Sequence, residues 1–174
     1  MSDTKEFLVT YHHNWFDHSD SRHPRVRVGT IHIYNNYFDG NSKYGVGVTQ
    51  GSSVFVEANY FRNCKYPMLI SLQGTDVYNS SGTFSGEAGG MMKAYNNTVI
   101  GATRLVYAGE NATEFDAYLA TSRNEKVAST YKTVSGGNTY NNFDTNTSVM
   151  YSYTRCSRER SNESYKIRRK NQWR

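Results

Sequence analysis

Apolar and polar residues alternate along this chain in short bursts, and one eight-residue version of that alternation recurs four times. The copies read VTYHHNWF (Val9 to Phe16), IHIYNNYF (Ile31 to Phe38), VFVEANYF (Val54 to Phe61) and MKAYNNTV (Met92 to Val99). In each, apolar positions two apart (Val9/Tyr11, Ile31/Ile33, Val54/Val56, Met92/Ala94) give the two-residue period of a β-strand, and helical spacing is not sustained. Each copy continues into an Asn, then an aromatic residue or Thr, then Phe or Val. The Asn residues Asn14, Asn36, Asn59 and Asn97 are separated by 22, 23 and 38 positions. A period in the low twenties predicts an all-β solenoid, a right-handed parallel β-helix whose coils superpose like residues. Stacked Asn side chains would form a ladder, because each amide both donates and accepts. The competing explanation, that Asn-Tyr and Asn-Asn pairs mark hairpin turns, does not account for the rest of the pattern.

The same reading lays out the chain. Strands are expected over 4–16, 30–38, 44–48, 54–61 and 68–72, with Asn96 inside a strand. Residues 17–29 are a charged loop entering a further strand. The Gly/Ser-rich run 73–90 is an insertion that lengthens the third spacing, and such insertions decorate one face and often line a cleft. Residues 101–150 are a terminal coil with packing loops and a last echo of the pattern at Asn141 and Phe143. Residues 1–150 therefore form a partial β-helix domain and residues 151–174 a separate tail.

Composition adds two facts. Only 2 Pro stand against 14 Gly and 15 Tyr, which suits many short strands joined by loops. No run approaches the ~20 apolar residues of a membrane span, and the opening MSDTKEF is no signal peptide. Cys64 and Cys156 imply no disulfide framework and are read as unpaired. The net charge of +5 would suggest a nucleic-acid binder if it were spread evenly. Instead residues 151–174 hold eight Arg or Lys against Glu159 and Glu163, leaving the body near neutral. That tail reads either as a polybasic arm for nucleic acid or a membrane surface, or as the product of a shifted reading frame. With suitable codons, Arg155 through Arg174 read one base later spell DAAGNVPMKATKYGGRINGG, which lacks the charge run. The coding DNA decides between them.

The chemistry concentrates in HHNWFDHSDSRHPRVRVG, which places four His, two Asp and three Arg between His12 and Arg27. No HExxH motif is present, and in a strand His12 and His13 face opposite sides, so the histidines argue against a metal centre. His13 falls in a column that Asn35 and Asn96 occupy elsewhere, which suggests a hydrogen-bonding role. Arg25 and Arg27 share a strand face. Arginines at a strand start suit an acidic substrate, since guanidinium groups hold carboxylates bidentately. Surface ion pairs to Asp17, Asp20 and Asp39 explain them equally well.

The run VTYHHNWFDHSDSRHPRVRVGTIHIYNNYF resembles the pectate lyases of polysaccharide lyase family 1, whose members carry R-x-P-x-x-R before a strand ending in YNN. Here that motif is Arg22 to Arg27, and SGTFSGEAGGMMKAYNN (Ser81 to Asn97) and GGNTYNNFD (Gly136 to Asp144) are also similar to bacterial members. The resemblance implies cleavage of α-1,4-polygalacturonate by β-elimination, with Arg22 as catalytic base and Arg27 binding the uronate carboxylate. Arg25 would contact substrate or a surface partner. It also implies Ca2+ at alkaline pH, acidifying the C5 proton and stabilising the enolate-like intermediate. The family's calcium ligands lie on coils before the equivalent of Thr10, so no metal ligand is expected in this chain, Asp17, Asp20 and Asp39 included. The chain would thus correspond to the C-terminal half to two-thirds of a lyase, with at most trace activity and an exposed first coil open to self-association. Full-length relatives would be secreted or periplasmic. Polygalacturonate is the expected partner, with no nucleic acid and no membrane. The alternatives are a non-catalytic polyuronate-binding module and a nucleic-acid or membrane binder acting through the tail.

Overall fold

The structure, a computed structural model, describes residues 7–78, 82 and 84–155. Three strands make each coil. The first comprises β1 (Leu8–His12), β2 (Trp15–Asp17) and β3 (Arg25–Arg27); the second, β4 (Thr30–Tyr34), β5 (Tyr37–Asp39) and β6 (Tyr44–Thr49). The third is β7 (Ser53–Glu57), β8 (Tyr60–Arg62) and β9 (Tyr66–Ile70), followed by β10 (Met91–Tyr95), β11 (Thr98–Ile100) and β12 (Tyr118–Leu119). They stack into three parallel sheets, ordered β1-β4-β7-β10-β12, β11-β8-β5-β2 and β3-β6-β9. The molecule is the expected parallel β-helix, and no α-helix occurs among the described residues.

Strand alternation fills the interior. Ile31, Ile33, Val54, Val56, Met92 and Ala94 point inward from the first sheet, Phe38 and Phe61 from the second, and Val46, Val48, Met68 and Ile70 from the third, all buried. Each contributes about 1.5–3 kcal/mol of apolar burial for the larger side chains. Phe16, Phe38 and Phe61 stack ring on ring at 4.9 and 4.3 Å.

The ladder forms as the repeat requires. Asn14 Nδ2 donates to Asn36 Oδ1 at 2.9 Å, Asn36 Nδ2 to Asn59 Oδ1 at 3.0 Å and Asn59 Nδ2 to Asn97 Oδ1 at 3.1 Å. The ladder stands at a corner, however, not within a strand. The spans read as single strands over 4–16, 30–38 and 54–61 are each two strands, with residues 4–6 lying outside the described part. The break comes just before each ladder Asn, where His13, Asn35, Ala58 and Asn96 adopt left-handed backbone with φ of 56, 53, 52 and 53°. Asn enters that region more readily than most residues, which accounts for the YNN signature and moves Asn96 out of a strand. A second corner repeats the device at His18, Gly40, Asn63 and Gly101, and a third at Val28, Gln50 and Leu72.

The echo at Asn141 and Phe143 does not extend the ladder. Asn141 Nδ2 donates to Thr30 Oγ1 at 3.0 Å, and Phe143 opens a short 3-10 turn, Phe143–Thr145. Residues 123–155 instead cross the outer face of the first sheet and bury its polar positions. Lys93 Nζ there donates to Asp144 Oδ2 (2.7 Å) and to the carbonyls of Arg123 and Glu125 (2.8 and 2.5 Å). His32 lies between Glu57 Oε1 and the Tyr151 hydroxyl, 2.9 Å from each, and burial lowers its pKa. Tyr153 hydrogen-bonds Glu57, and Arg123 Nε donates to the Tyr153 hydroxyl at 2.8 Å. Tyr151 to Arg155, grouped by sequence with the tail, thus pack on the solenoid; residues 156–174, which hold most of the basic run and Cys156, lie outside the described part. Cys64 is a buried free thiol, its pKa pushed up to about 11 by burial.

Candidate active site

The third sheet presents the chemistry. In β3, Val26 points into the core, so Arg25 and Arg27 project from the outer face, as their spacing predicts. Arg22 lies in the preceding corner with φ of 71°, an uncommon conformation for a bulky side chain, and its NH1 donates to Ser21 Oγ at 3.2 Å. It borders a cleft of about 380 Å³ shared with Lys43, Tyr44, Lys65, Tyr66 and Phe84. Lys43 is paired with Asp20 at 3.0 Å, and Lys65 lies over the Tyr66 ring at 5.2 Å. The Tyr44 hydroxyl is buried beneath the cleft. Burial raises its pKa, while Arg22 and Arg25 oppose that rise.

The insertion supplies what the repeat does not. Residues 84–88 lie across the third sheet because Gly47 leaves room; a Cβ there would come within 2.8 Å of the Tyr44 ring and 3.1 Å of the Phe84 ring. Glu87 Oε2 accepts from Arg25 NH2 at 3.1 Å, and Glu87 Oε1 lies 3.4 Å from Arg27 Nε. Arg25 NH2 also donates to Ser85 Oγ at 2.9 Å, and Arg27 Nε to Gln50 Oε1 at 2.8 Å. Burial pushes the Glu87 carboxyl up, but hydrogen bonds from Thr49 and Ser85 and the charges of Arg27 and Arg25 hold it below its ordinary pKa.

The aspartates that offered an alternative for these arginines are engaged elsewhere. Asp39 accepts from Arg62 Nε and NH2 at 2.8 and 2.5 Å, Asp20 pairs with Lys43, and Asp17 with His18 Nδ1 at 2.5 Å. The four histidines do not converge. His12 and His13, read as facing opposite sides, lie Nδ1 to Nδ1 at 2.8 Å, because the strand ends at His12 and the left-handed His13 brings its ring back. His23 Nε2 bonds Ser19 Oγ at 2.8 Å, and burial lowers its pKa.

Asp17, His18 and Asp39 do bring one ligand atom each within 4.8 Å of one another. They do not fit calcium. The ion takes 6–8 oxygens, whereas here one donor is an imidazole nitrogen and both Asp39 oxygens are held by Arg62.

Sequence reasoning missed Lys43, Lys65, Tyr44 and Glu87. Lys43/Lys65 and Tyr44/Tyr66 fall one period apart, a signal that was present; Glu87 lies in the insertion expected to line a cleft, but no repeat column singled it out.

Comparison with known proteins bears on the same region. The pectate lyase family model matches residues 1–84. The chain is 41% identical over 68 residues to a pectate trisaccharide-lyase of Bacillus licheniformis, covering 39% of this chain and 20% of that protein. It is 36% identical over 75 residues to pectate lyase B of Dickeya chrysanthemi and 39% identical over 75 residues to pectate lyase 3 of Pectobacterium carotovorum, in each case 43% of this chain and 20% of the relative. The matches therefore span about a fifth of the length of these relatives. Over residues 1–84, which hold β1 to β9 and all three arginines of the motif, the chain is a parallel β-helix similar to pectate lyases.

Proposed function

We propose that this chain is a pectate lyase-like protein that binds α-1,4-polygalacturonate on the outer face of its third sheet and carries the groups for β-elimination. The observation that supports this most is the disposition of the R-x-P-x-x-R motif. Arg27 projects from the sheet with its terminal guanidinium nitrogens free of hydrogen bonds to described residues, while Arg22 stands at the mouth of a basic, tyrosine-lined cleft.

In the proposed reaction Arg27 receives the C6 carboxylate of one galacturonosyl unit through its planar fork. Positive charge there stabilises the enolate-like carbanion that forms when C5 loses its proton. Arg22 takes that proton as a neutral guanidine. The C5 electron pair forms the C4=C5 bond, the C4–O bond breaks, and the departing glycosidic oxygen takes up a proton. A guanidinium stays protonated below about pH 12, so this base favours alkaline conditions. Calcium, expected from the resemblance, enters no step, because the described acidic group does not fit it. The polymeric substrate favours work outside the cytoplasm, either secreted or periplasmic, in pectin breakdown. No helix among the described residues is long and apolar enough to cross a membrane.

The test follows ultraviolet absorbance of the unsaturated product on polygalacturonate at alkaline pH, with and without Ca2+, beside binding by affinity electrophoresis. The expected outcome is binding with at most trace turnover, the turnover disappearing in Arg22→Ala and the binding in Arg27→Ala. Robust turnover would refute the trace expectation. Binding with no product under any condition would identify a polyuronate-binding module, and binding indifferent to Arg27→Ala would remove this site from the account.

A further inference from the structure

Glu87 reaches the arginine pair from a segment outside the repeat, yet it arrives on a well-anchored backbone. Gln50 N donates to Ala88 O at 2.6 Å, Gly51 N to Gly89 O at 3.2 Å and Gly89 N to Ser135 O at 3.2 Å. On the other side Phe84 N donates to Asp76 Oδ1 at 2.8 Å, and the Phe84 ring packs on Tyr44 with centroids 5.0 Å apart. The carboxylate is thus delivered to one place, where it bridges two guanidinium groups. The two arginines are left unequal. The Arg25 side chain is 29% exposed and committed through NH2 to both Glu87 and Ser85. The Arg27 side chain is 51% exposed, is held only through Nε, and keeps NH1 and NH2 unengaged among the described residues.

We propose that Glu87 is an internal carboxylate ligand of the arginine pair, occupying Arg25 from within the chain so that Arg27 alone offers a free guanidinium fork to a substrate uronate. This rests on the polyuronate reading of the site and sharpens it. Two arginines and one glutamate leave a net charge of +1, which a single incoming carboxylate neutralises. Without Glu87 the patch would carry +2 and two open forks, and would take a polyanion more tightly and less selectively.

The experiment uses the full chain in gels containing polygalacturonate at low salt, comparing wild type with Glu87→Gln, Arg25→Ala, the double variant and Arg27→Ala. Gln keeps the size of Glu87 and its capacity to accept from Ser85. Glu87→Gln is expected to bind about three- to fivefold more tightly, the scale of a partly exposed ion pair, and to do so only while Arg25 is present. A Glu87→Gln protein that binds no better than wild type, or a gain that survives Arg25→Ala, overturns the proposal. If that happens while Arg27→Ala abolishes binding, the site reading stands and only the role of Glu87 fails. Binding indifferent to Arg27→Ala, or no binding by either wild type or Glu87→Gln, overturns both. A second measurement needs no variant. In 15N-arginine-labelled wild type, trigalacturonate should shift the Arg27 Nε–H resonance and leave that of Arg25 in place; movement of both would refute the occupied-Arg25 arrangement.

Discussion

Replacing Asn36 by alanine should cost about 3–5 kcal/mol, several times the cost of the same change at Asn14. Asn36 is 1% exposed, and its amide works in both directions. Nδ2 lies within hydrogen-bond reach of Tyr11 O (2.9 Å), Tyr34 O (3.1 Å) and Asn59 Oδ1 (3.0 Å), so two hydrogens are shared among three acceptors. Oδ1 accepts from both Asn14 N (3.0 Å) and Asn14 Nδ2 (2.9 Å). A net bond is worth about 1 kcal/mol, and each buried group left unpaired adds about 1–3 kcal/mol. Alanine removes up to four bonds and strands polar groups on both neighbouring coils. Asn14, half-buried at the end of the ladder, donates one side-chain bond upward, so its loss should cost about 1 kcal/mol.

Aspartate makes the sharper test. It keeps the acceptor toward Asn14 but turns an oxygen toward three other oxygens, so Asn36→Asp should destabilise at least as much as alanine. Urea unfolding, followed by tryptophan fluorescence and far-ultraviolet circular dichroism, gives the three free energies. The ladder argument fails if Asn36→Ala falls within 1 kcal/mol of Asn14→Ala, or if aspartate is tolerated better than alanine.

Three further outcomes follow from the same geometry. Lys93→Met leaves Asp144 buried without its cation and should cost about 3–5 kcal/mol, with faster proteolysis inside 123–155; a loss below 1 kcal/mol would show that the pair does not hold that segment down. Burial raises the Asp116 pKa from 3.8 to about 6, so the native state holds this proton more tightly than the unfolded chain, and its contribution to stability falls as pH rises from about 4 to about 6 and is constant above; the wild-type minus Asp116→Asn stability difference should therefore decline across that window, and a flat difference refutes the shift. The strands β1, β2 and β3 each pair on one side only among the described residues, and Phe7, Leu8 and Val9 are 44, 64 and 37% exposed, so sedimentation should show concentration-dependent self-association that Leu8→Lys reduces; a monomer at all concentrations counts against it.

Much of the fold was legible because a solenoid repeats its reasons. Val9/Tyr11 and their counterparts named the strands, and the Asn spacing named the stack. What the pattern hid was the corner. Asn35 and Asn36 look alike in sequence, yet one turns the backbone left-handed and the other builds the ladder, and the left-handed turn recurs at the position before each ladder Asn. Polar residues on the first sheet were harder still. Strand alternation assigns Glu57 and His32 to solvent, but both are buried by Tyr151 and Tyr153, roughly a hundred residues away in sequence. No local pattern carries such a contact. The arginine site divides the same way: Arg22, Arg25 and Arg27 were visible as a motif, while Glu87 depends on where an insertion happens to land.

These two kinds of residue explain why the chemistry sits on the third sheet. Every sheet of the helix turns one set of side chains to the core and the other outward. On the first sheet the outward column Thr10, His32, Phe55, Lys93 and Tyr118 runs in register across five strands, and the segment 123–155 covers it. Charged groups there are consumed by internal pairing, as with Lys93 and Asp144. On the second sheet Asp39 and Arg62 neutralise each other from adjacent strands. Among the described residues the short stretch 84–88 lies across the third sheet, and Gly47 admits that stretch closely enough for one carboxylate to reach two guanidinium groups. One positive charge is left over, on the more exposed arginine, beside a cleft that adds Arg22 and Lys65, Lys43 there being paired with Asp20. A surplus of cation on a surface only partly roofed by its own chain is what an acidic polymer requires, and the repeat places it there by building everything beneath it.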